Sequence, residues 1–93
     1  MKTTVAVIGC GRIADSAHFP ALSGMEDVTI KYACDIIEQK AQQAKEKYGA
    51  QYAITDYKEA LSDSEVDAVF VLTPNFSHYG ITMDALNAGK HVF

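Results

Sequence analysis

Short apolar runs alternate along the chain with longer segments in which apolar residues recur at helical spacing. Apolar runs rich in β-branched residues are typical of strands that are buried on both faces. We predict such strands at Val5–Ile8, Val28–Cys34, Gln51–Ala53 and Asp67–Leu72, with a further strand beginning at His91. Helices are predicted between them at residues 12–22, 37–48, 57–62 and 77–88. This alternation predicts an α/β fold with a doubly wound, Rossmann-like parallel sheet.

Four residues define the predicted helix ends. Gly49 follows the second helix and is expected to cap its carboxyl end. Asp35 and Asp56 precede the second and third helices and are expected to act as their N-caps. Pro20 is expected to end or kink the first helix near Phe19, because proline disrupts the helical backbone before it.

Composition and charge exclude several classes of function. The chain of 93 residues is long enough for one domain, and its net charge of −4 comes without a basic cluster, which argues against nucleic-acid binding. The longest apolar run, Ala68–Leu72 with Val66 nearby, has about six residues against the roughly 18 that span a membrane. Without a signal-peptide pattern, a cytoplasmic location is expected. Cys10 and Cys34 fit no metal-binding spacing and are expected to be reduced thiols.

A glycine-rich turn links the first strand to the first helix. Gly9 allows a tight turn, Gly11 leaves room for a pyrophosphate to approach the backbone, and Ala14 is the small residue where helix and strand pack. The helix start offers free N–H groups to phosphate oxygens. Arg12 contacts a phosphate or is a solvated side chain of the first turn. Without a ligand, the same motif is simply a tight turn.

Asp35 ends the second strand, 21 positions after Ala14. A carboxylate about 20 residues beyond the glycine turn is the expected partner of the adenosine ribose hydroxyls. It would repel a 2′-phosphate, so NAD is favoured over NADP, although NADP stays possible. Asp35 is able to cap the helix and to bind the ribose at the same time, so the two roles are compatible. Together the turn and Asp35 predict a dinucleotide site.

The segment Leu72–His78 leaves a buried strand at the same predicted edge of the sheet. Pro74 restricts the backbone, and Asn75 is able to hydrogen-bond a ribose or a nicotinamide amide. The alternative is ordinary turn chemistry with a helix cap, which a Thr73-Pro74-Asn75 sequence also suits.

Four segments together resemble the N-terminal domain of the glucose–fructose oxidoreductase/inositol dehydrogenase (Gfo/Idh/MocA) family. They are the glycine turn with Ile13, His18 with Pro20-Ala21-Leu22, Thr73-Pro74-Asn75 with His78, and Ala88-Gly89-Lys90-His91-Val92. The resemblance implies a two-domain NAD(P)-dependent dehydrogenase of sugars, polyols or related hydroxyl substrates. It assigns the pyrophosphate to residues 9–14, the ribose to Asp35, the flank of the cofactor to residues 72–75 and support of that pocket to His78.

In one respect this sequence departs from the family's pattern. The family's Glu-Lys-Pro motif and its substrate domain would follow Phe93, so we expect residues 1–93 to be a cofactor-binding domain without catalytic residues or turnover. The whole protein is expected to be a homo-oligomer. His18, His78 and His91 have no relay partner in the sequence, and each is expected to be structural or cofactor-facing.

Two alternatives stay open at this point. A Rossmann turn also serves stand-alone nucleotide-sensing or partner-binding modules, since fold alone does not define function. An S-adenosylmethionine-dependent methyltransferase would share the glycine turn and the acidic residue, but it would not explain the Thr-Pro-Asn and Ala-Gly-Lys-His-Val segments.

Overall fold

The computed structural model describes residues 3–11, 22, 24–73 and 75–93. The strands are β1 (Thr3–Ile8), β2 (Val28–Cys34), β3 (Tyr52–Ile54), β4 (Ala68–Val71) and β5 (His91–Val92). The helices are α1 (Glu38–Tyr48), α2 (Tyr57–Leu61) and α3 (Asn75–Asn87). The helix predicted at residues 12–22 lies outside the described residues, apart from the buried Leu22.

The strands form one sheet in the order β3-β2-β1-β4-β5, and all four neighbouring pairs are parallel. The chain builds outward from β1 in one direction through β2 and β3, then returns to the other side of β1 for β4 and β5. The predicted doubly wound, Rossmann-like fold is therefore confirmed. The reversal of strand order falls between β1 and β4, which is where folds of this kind open a crevice for a ligand.

Each face of the sheet carries its own apolar core. Val5 and Val7 of β1 point to one face, where they pack with residues that include Ala44 of α1. Ala6 and Ile8 point to the other face, together with buried residues of α2 and α3. Because both faces are covered, β1 is apolar at every position from Val5 to Ile8, as a buried parallel strand must be.

A bulge interrupts the pairing of β1 with β2. Val5 lies opposite Ile30 and Ala6 opposite Tyr32, so Lys31 is the extra residue of β2. Lys31 and Tyr32 consequently both reach Asp63, in the loop after α2: the Lys31 Nζ lies 2.6 Å from Asp63 Oδ2, and the Tyr32 hydroxyl donates to the same oxygen at 2.7 Å. The bulge thus ties β2 to the segment that leads into β4.

Two of the three predicted caps are confirmed. Gly49 has φ +76°, and its N–H donates to the Lys45 carbonyl at 3.0 Å, closing α1. Asp56 accepts a hydrogen bond from the Lys58 N–H at 3.0 Å and caps α2. The third cap, Asp35, is wrong. Ile37 is the N-cap of α1, because the chain makes a further turn after β2 before the helix begins.

Several predicted boundaries also move, by one or two residues. β3 continues to Ile54, one residue further than predicted, because Ile54 pairs with Cys34 at the end of β2. α3 begins at Asn75 rather than at Ser77. Because α3 begins two residues earlier than predicted, its connection to β4, which ends at Val71, is shorter than predicted, and Asn75 belongs to the helix instead of the turn.

Candidate functional site

Three strands end side by side at the carboxyl edge of the sheet. Ile8 of β1 pairs with Cys34 of β2 on one side and with Val71 of β4 on the other. The residues that follow these three strands are the glycine turn, Asp35 and Leu72-Thr73. The register of the sheet therefore brings the predicted binding segments together at one edge.

Gly9 is held tightly among the strand ends. Its φ is +99°, and a Cβ at this position would lie 2.8 Å from the carbonyl carbon of Leu72 and 3.0 Å from the nitrogen of Thr73. Its N–H donates to the Cys34 carbonyl at 2.7 Å, while the Leu72 N–H donates to the Ile8 carbonyl at 2.8 Å. The packing of the protein itself requires glycine here, because any side chain would strike backbone atoms.

Gly11 differs from Gly9. A Cβ at Gly11 would meet nothing within 4 Å among the described residues, and its φ is not in the left-handed region. Space is therefore open beside the turn where the pyrophosphate was predicted, and the residues present fit such a group. Arg12, Ile13 and Ala14, the remaining predicted residues of the turn, lie outside the described part of the chain.

The Asp35 carboxylate bridges the glycine turn and the approach to α1. Its Oδ2 accepts a hydrogen bond from the Cys10 N–H at 2.9 Å, and its Oδ1 accepts one from the Ile37 N–H at 2.9 Å. The backbone of Asp35 is anchored as well, since its N–H donates to the Ile54 carbonyl at 3.1 Å. Each carboxylate oxygen has a second lone pair, so both are still able to accept from a ribose hydroxyl.

The side chain of Cys10 is a part of this site to which sequence reasoning gave no role beyond that of a reduced thiol in the turn. Its thiol donates to the Cys34 carbonyl at 3.3 Å. Burial, and after it the negative charge of Asp35, raise the pKa of the Cys10 thiol to about 12. The group is therefore a protonated donor and a poor nucleophile. The available signal was its position between the two glycines of the turn.

Ile36 and Ile37 are a second feature that sequence reasoning missed. Ile36 is 89% exposed and Ile37 is 48% exposed, directly after the Asp35 carboxylate. Two exposed isoleucines beside a strand-terminal acid offer apolar surface next to the predicted ribose position. Their sequence signal was an apolar pair directly before a mostly polar helix.

On the β4 side, Thr73 carries a buried hydroxyl. Its Oγ1 has no hydrogen-bond partner among the described residues. Leu72 is half-buried and packs against the same core as β1. Pro74 lies outside the described residues, and the structure describes only the backbone of Asn75 and His78, in the first turns of α3.

His91 lies away from this edge. It begins β5 and pairs with Ala68 at the start of β4, so it is at the amino-terminal edge of the sheet, where it is exposed. It is therefore not cofactor-facing. A depression at that opposite edge is lined by residues that include Asp67 and Lys90. Their polar groups bond within the protein: Asp67 Oδ2 accepts from the Thr4 N–H, and Lys90 Nζ donates to the Asp63 carbonyl.

Within the described ranges, His, Cys, Asp and Glu side chains form no group of three or more suited to a metal ion. The same part of the chain contains no helix long and apolar enough to cross a bilayer.

The sequence profile of the Gfo/Idh/MocA oxidoreductases, a family with an NAD-binding Rossmann fold, matches residues 3–93. The chain belongs to this family. It is 40% identical over 91 residues to a 4-carboxy-2-hydroxymuconate-6-semialdehyde dehydrogenase of Sphingobium, and 38% identical over 88 residues to a D-glucoside 3-dehydrogenase of Escherichia coli. Each alignment covers 95% of the chain, but the chain spans only 28% and 25% of these two relatives.

Solved structures agree with the assignment. A 3-ketoreductase from Actinomadura kijaniata, in complex with NADP and TDP-benzene, superposes with a TM-score of 0.92 at 31% identity, over all of this chain and 28% of its own. A scyllo-inositol dehydrogenase from Lactobacillus casei, with bound NAD(H) and scyllo-inositol, superposes with a TM-score of 0.89 at 26% identity, over all of this chain and 27% of its own.

The predicted resemblance and fold are thus confirmed, and the chain is an NAD(P)-binding Rossmann domain of the Gfo/Idh/MocA family. The relatives named here are dehydrogenases or reductases, and the family match argues against the methyltransferase alternative.

Proposed function

We propose that this domain holds a nicotinamide dinucleotide across the carboxyl edge of its sheet, and that the whole protein uses it to transfer hydride to or from a sugar, polyol or related hydroxyl compound. One observation carries the proposal. The backbone of the glycine turn, the Asp35 carboxylate and the Leu72-Thr73 segment meet at the point where strand order reverses, with open space beside Gly11.

Each part of the cofactor has a matching group in this arrangement. The turn at Gly9–Gly11 would hold the pyrophosphate, and the helix that the sequence predicts from residue 12 would add N–H groups that favour negative charge. The Asp35 carboxylate would accept hydrogen bonds from the adenosine ribose hydroxyls, and the exposed Ile36 would contact the adenine ring. Residues 72–75 and His78 would hold the nicotinamide half.

When bound, the cofactor supplies the hydride chemistry, whereas this domain supplies affinity and orientation. The turn and Asp35 hold one half of the dinucleotide, so the other half is presented at a defined place for a substrate. We assign no proton-transfer residue to residues 1–93. Substrate binding and acid–base catalysis are proposed for a further domain of the whole protein.

A preference for NAD over NADP follows from charge. Asp35 would repel a 2′-phosphate at the place where it accepts hydroxyl hydrogen bonds from NAD. The nearest base that follows it is Lys40, exposed in the first turn of α1. The residue directly after Asp35 is Ile36, which has no charge to offset that repulsion.

The substrate class rests on the relatives. Besides the glucoside dehydrogenase and the scyllo-inositol dehydrogenase above, a myo-inositol 2-dehydrogenase of Thermotoga maritima is 34% identical over 89 residues, and the chain spans 26% of it. Cyclic polyols and sugars with a secondary hydroxyl are therefore the first compounds to test for turnover.

The deciding experiment is a fluorescence titration of the purified protein with NADH and NADPH. We expect saturable binding, tighter for NADH, and loss of at least about tenfold in affinity for Gly11→Val, since the added side chain fills the open space beside the turn. Gly80→Val is the matched control, because Gly80 is exposed in α3 and a Cβ there also meets nothing within 4 Å. Wild-type affinity in a folded Gly11→Val variant would contradict the proposed site.

A nucleotide-sensing module is the second candidate, because the site described here binds but has no assigned catalytic group. The protein should be incubated with NAD and a panel of polyols and sugars while reduced nicotinamide is followed by absorbance. Reduction of NAD by any of them supports the oxidoreductase. Tight binding of NADH without turnover of any substrate by the whole protein would favour the sensor.

Two proposals concern the whole protein rather than the site. We propose a cytoplasmic location, and fractionation of the source cells would test it. A homo-oligomer is proposed from the family resemblance, and light scattering of the purified protein would measure its state.

A further inference from the structure

We propose that Cys10 is a positioning residue for the ribose site, whose thiol anchors the glycine turn to the end of β2 and thereby fixes the Asp35 carboxylate. The inference rests on the proposed function, because it concerns how that site distinguishes a free ribose hydroxyl from a 2′-phosphate.

The anchoring consists of three hydrogen bonds between two pairs of consecutive residues. The Cys34 carbonyl accepts from the Gly9 N–H at 2.7 Å and from the Cys10 thiol at 3.3 Å. The next residue, Asp35, accepts at Oδ2 from the Cys10 N–H at 2.9 Å. Residues 9 and 10 are therefore hydrogen-bonded to residues 34 and 35 through both backbone and side-chain groups.

Cys10 is the one residue of the Gly9–Gly11 turn that has a side chain. Gly9 is held by its packing against Leu72, but Gly11 faces open space, and glycine loses more conformational freedom on folding than any other residue, so the end of the turn depends on the bonds that Cys10 makes. The thiol packs against the core that contains Val5 and Val7. Its raised pKa of about 12 means that it keeps the donated proton at neutral pH.

Loss of the thiol would affect Asp35 through the Cys10 N–H, which donates to its carboxylate. If the turn loosens, Oδ2 loses its donor, while Oδ1 remains bonded to the Ile37 N–H. The carboxylate is then free to rotate about that remaining bond. A rotated carboxylate accepts less well from the ribose diol and also repels a 2′-phosphate less, so discrimination between the two cofactors falls.

The test measures dissociation constants of NADH and NADPH for three variants of the purified protein. Cys10→Ala removes the thiol donor, and we expect about three- to tenfold weaker NADH binding with a narrower NADH/NADPH ratio, the effect of losing one hydrogen bond. Cys10→Ser keeps a donor and is expected to restore the ratio to within about twofold of wild type.

Cys34→Ala is the matched control. It removes a buried thiol of the same region that faces the opposite core and takes part in none of the described hydrogen bonds, and it keeps the Cys34 carbonyl. We expect a lower free energy of unfolding but an unchanged NADH/NADPH ratio. A ratio that shifts equally in Cys10→Ala and Cys34→Ala would overturn the proposal.

A double-mutant cycle separates action through Asp35 from a general structural role. In an Asp35→Ala background, Cys10→Ala should no longer change the NADH/NADPH ratio. An unchanged ratio in the single Cys10→Ala variant, or an equal change in both backgrounds, would overturn the positioning role. The proposed function fails in a different way, namely if the wild-type protein binds neither cofactor.

Discussion

Gly9 lies so close to the backbone of Leu72 that a Cβ on Gly9 would come within 2.8 Å of the Leu72 carbonyl carbon. Gly11, two residues later, faces open space instead. Glycine is therefore required at these two positions of the turn for different physical reasons. Gly9 lets the ends of β1 and β4 pack together, whereas Gly11 leaves the volume in which we propose that the pyrophosphate lies.

Substitution of Gly9 should damage the fold before it affects binding. Gly9→Ala is expected to lower the free energy of unfolding by about 2 kcal/mol or more, since it combines a left-handed φ with a collision against backbone. Urea denaturation followed by circular dichroism measures this change. Gly49→Ala is the control, because Gly49 shares the positive φ but has nothing within 4 Å of its Cβ position. An equal decrease in the free energy of unfolding of the two variants would show that the collision with Leu72 does not destabilise the protein.

The choice of cofactor should depend on Asp35 and Ile36. Asp35→Ala is expected to weaken NADH binding by about tenfold and NADPH binding by less, because only NADPH is relieved of a repulsion. Adding Ile36→Arg should then favour NADPH, since an arginine pairs with the 2′-phosphate. Gln42→Arg, on the exposed surface of α1, adds the same charge as a control. A preference that does not change in the double variant would remove Asp35 and Ile36 from the ribose site.

The buried hydroxyl of Thr73 predicts two opposite effects of one substitution. Thr73→Val keeps the shape and removes a polar atom without a described partner, so the cofactor-free protein should become more stable by about 1 kcal/mol. If the hydroxyl bonds to the cofactor, the same variant should bind NADH more weakly. Thermal unfolding with and without NADH measures both effects. Lower stability of the cofactor-free variant would show that the hydroxyl is satisfied in the native protein.

Acid should release the contact between Asp63 and β2. The Lys31 ammonium, and after it the Tyr32 hydroxyl, lower the pKa of Asp63 to about 2 from its ordinary value of 3.8. The unfolded chain thus binds the proton first, so the contribution of Asp63 to stability is present above the ordinary pKa and disappears as pH falls towards about 2. We expect Asp63→Asn to be less stable than wild type at neutral pH and the difference to narrow over that window. Urea denaturation at several pH values checks it, and a difference independent of pH would contradict the assignment.

Much of the fold followed from local patterns. The apolar runs of β1, β2 and β4 and the caps Gly49 and Asp56 were predictable, because each depends on neighbouring residues and backbone preference. The cap assigned to Asp35 was wrong because local spacing does not show where the helix begins. Ile37 is the N-cap, and the Asp35 carboxylate bonds both to the Ile37 N–H and to Cys10, which is distant in sequence and adjacent in the sheet.

The sequence by itself determined the order of elements, the glycine turn, the acidic residue after β2 and the family, because these are properties of consecutive residues. The tertiary structure decided how they meet. The bulge in β2 directs Lys31 and Tyr32 to Asp63, and the register of β1 against β4 presses Gly9 onto Leu72 and leaves Gly11 open. These relations depend on pairing between segments that are far apart in the chain, which no local pattern specifies.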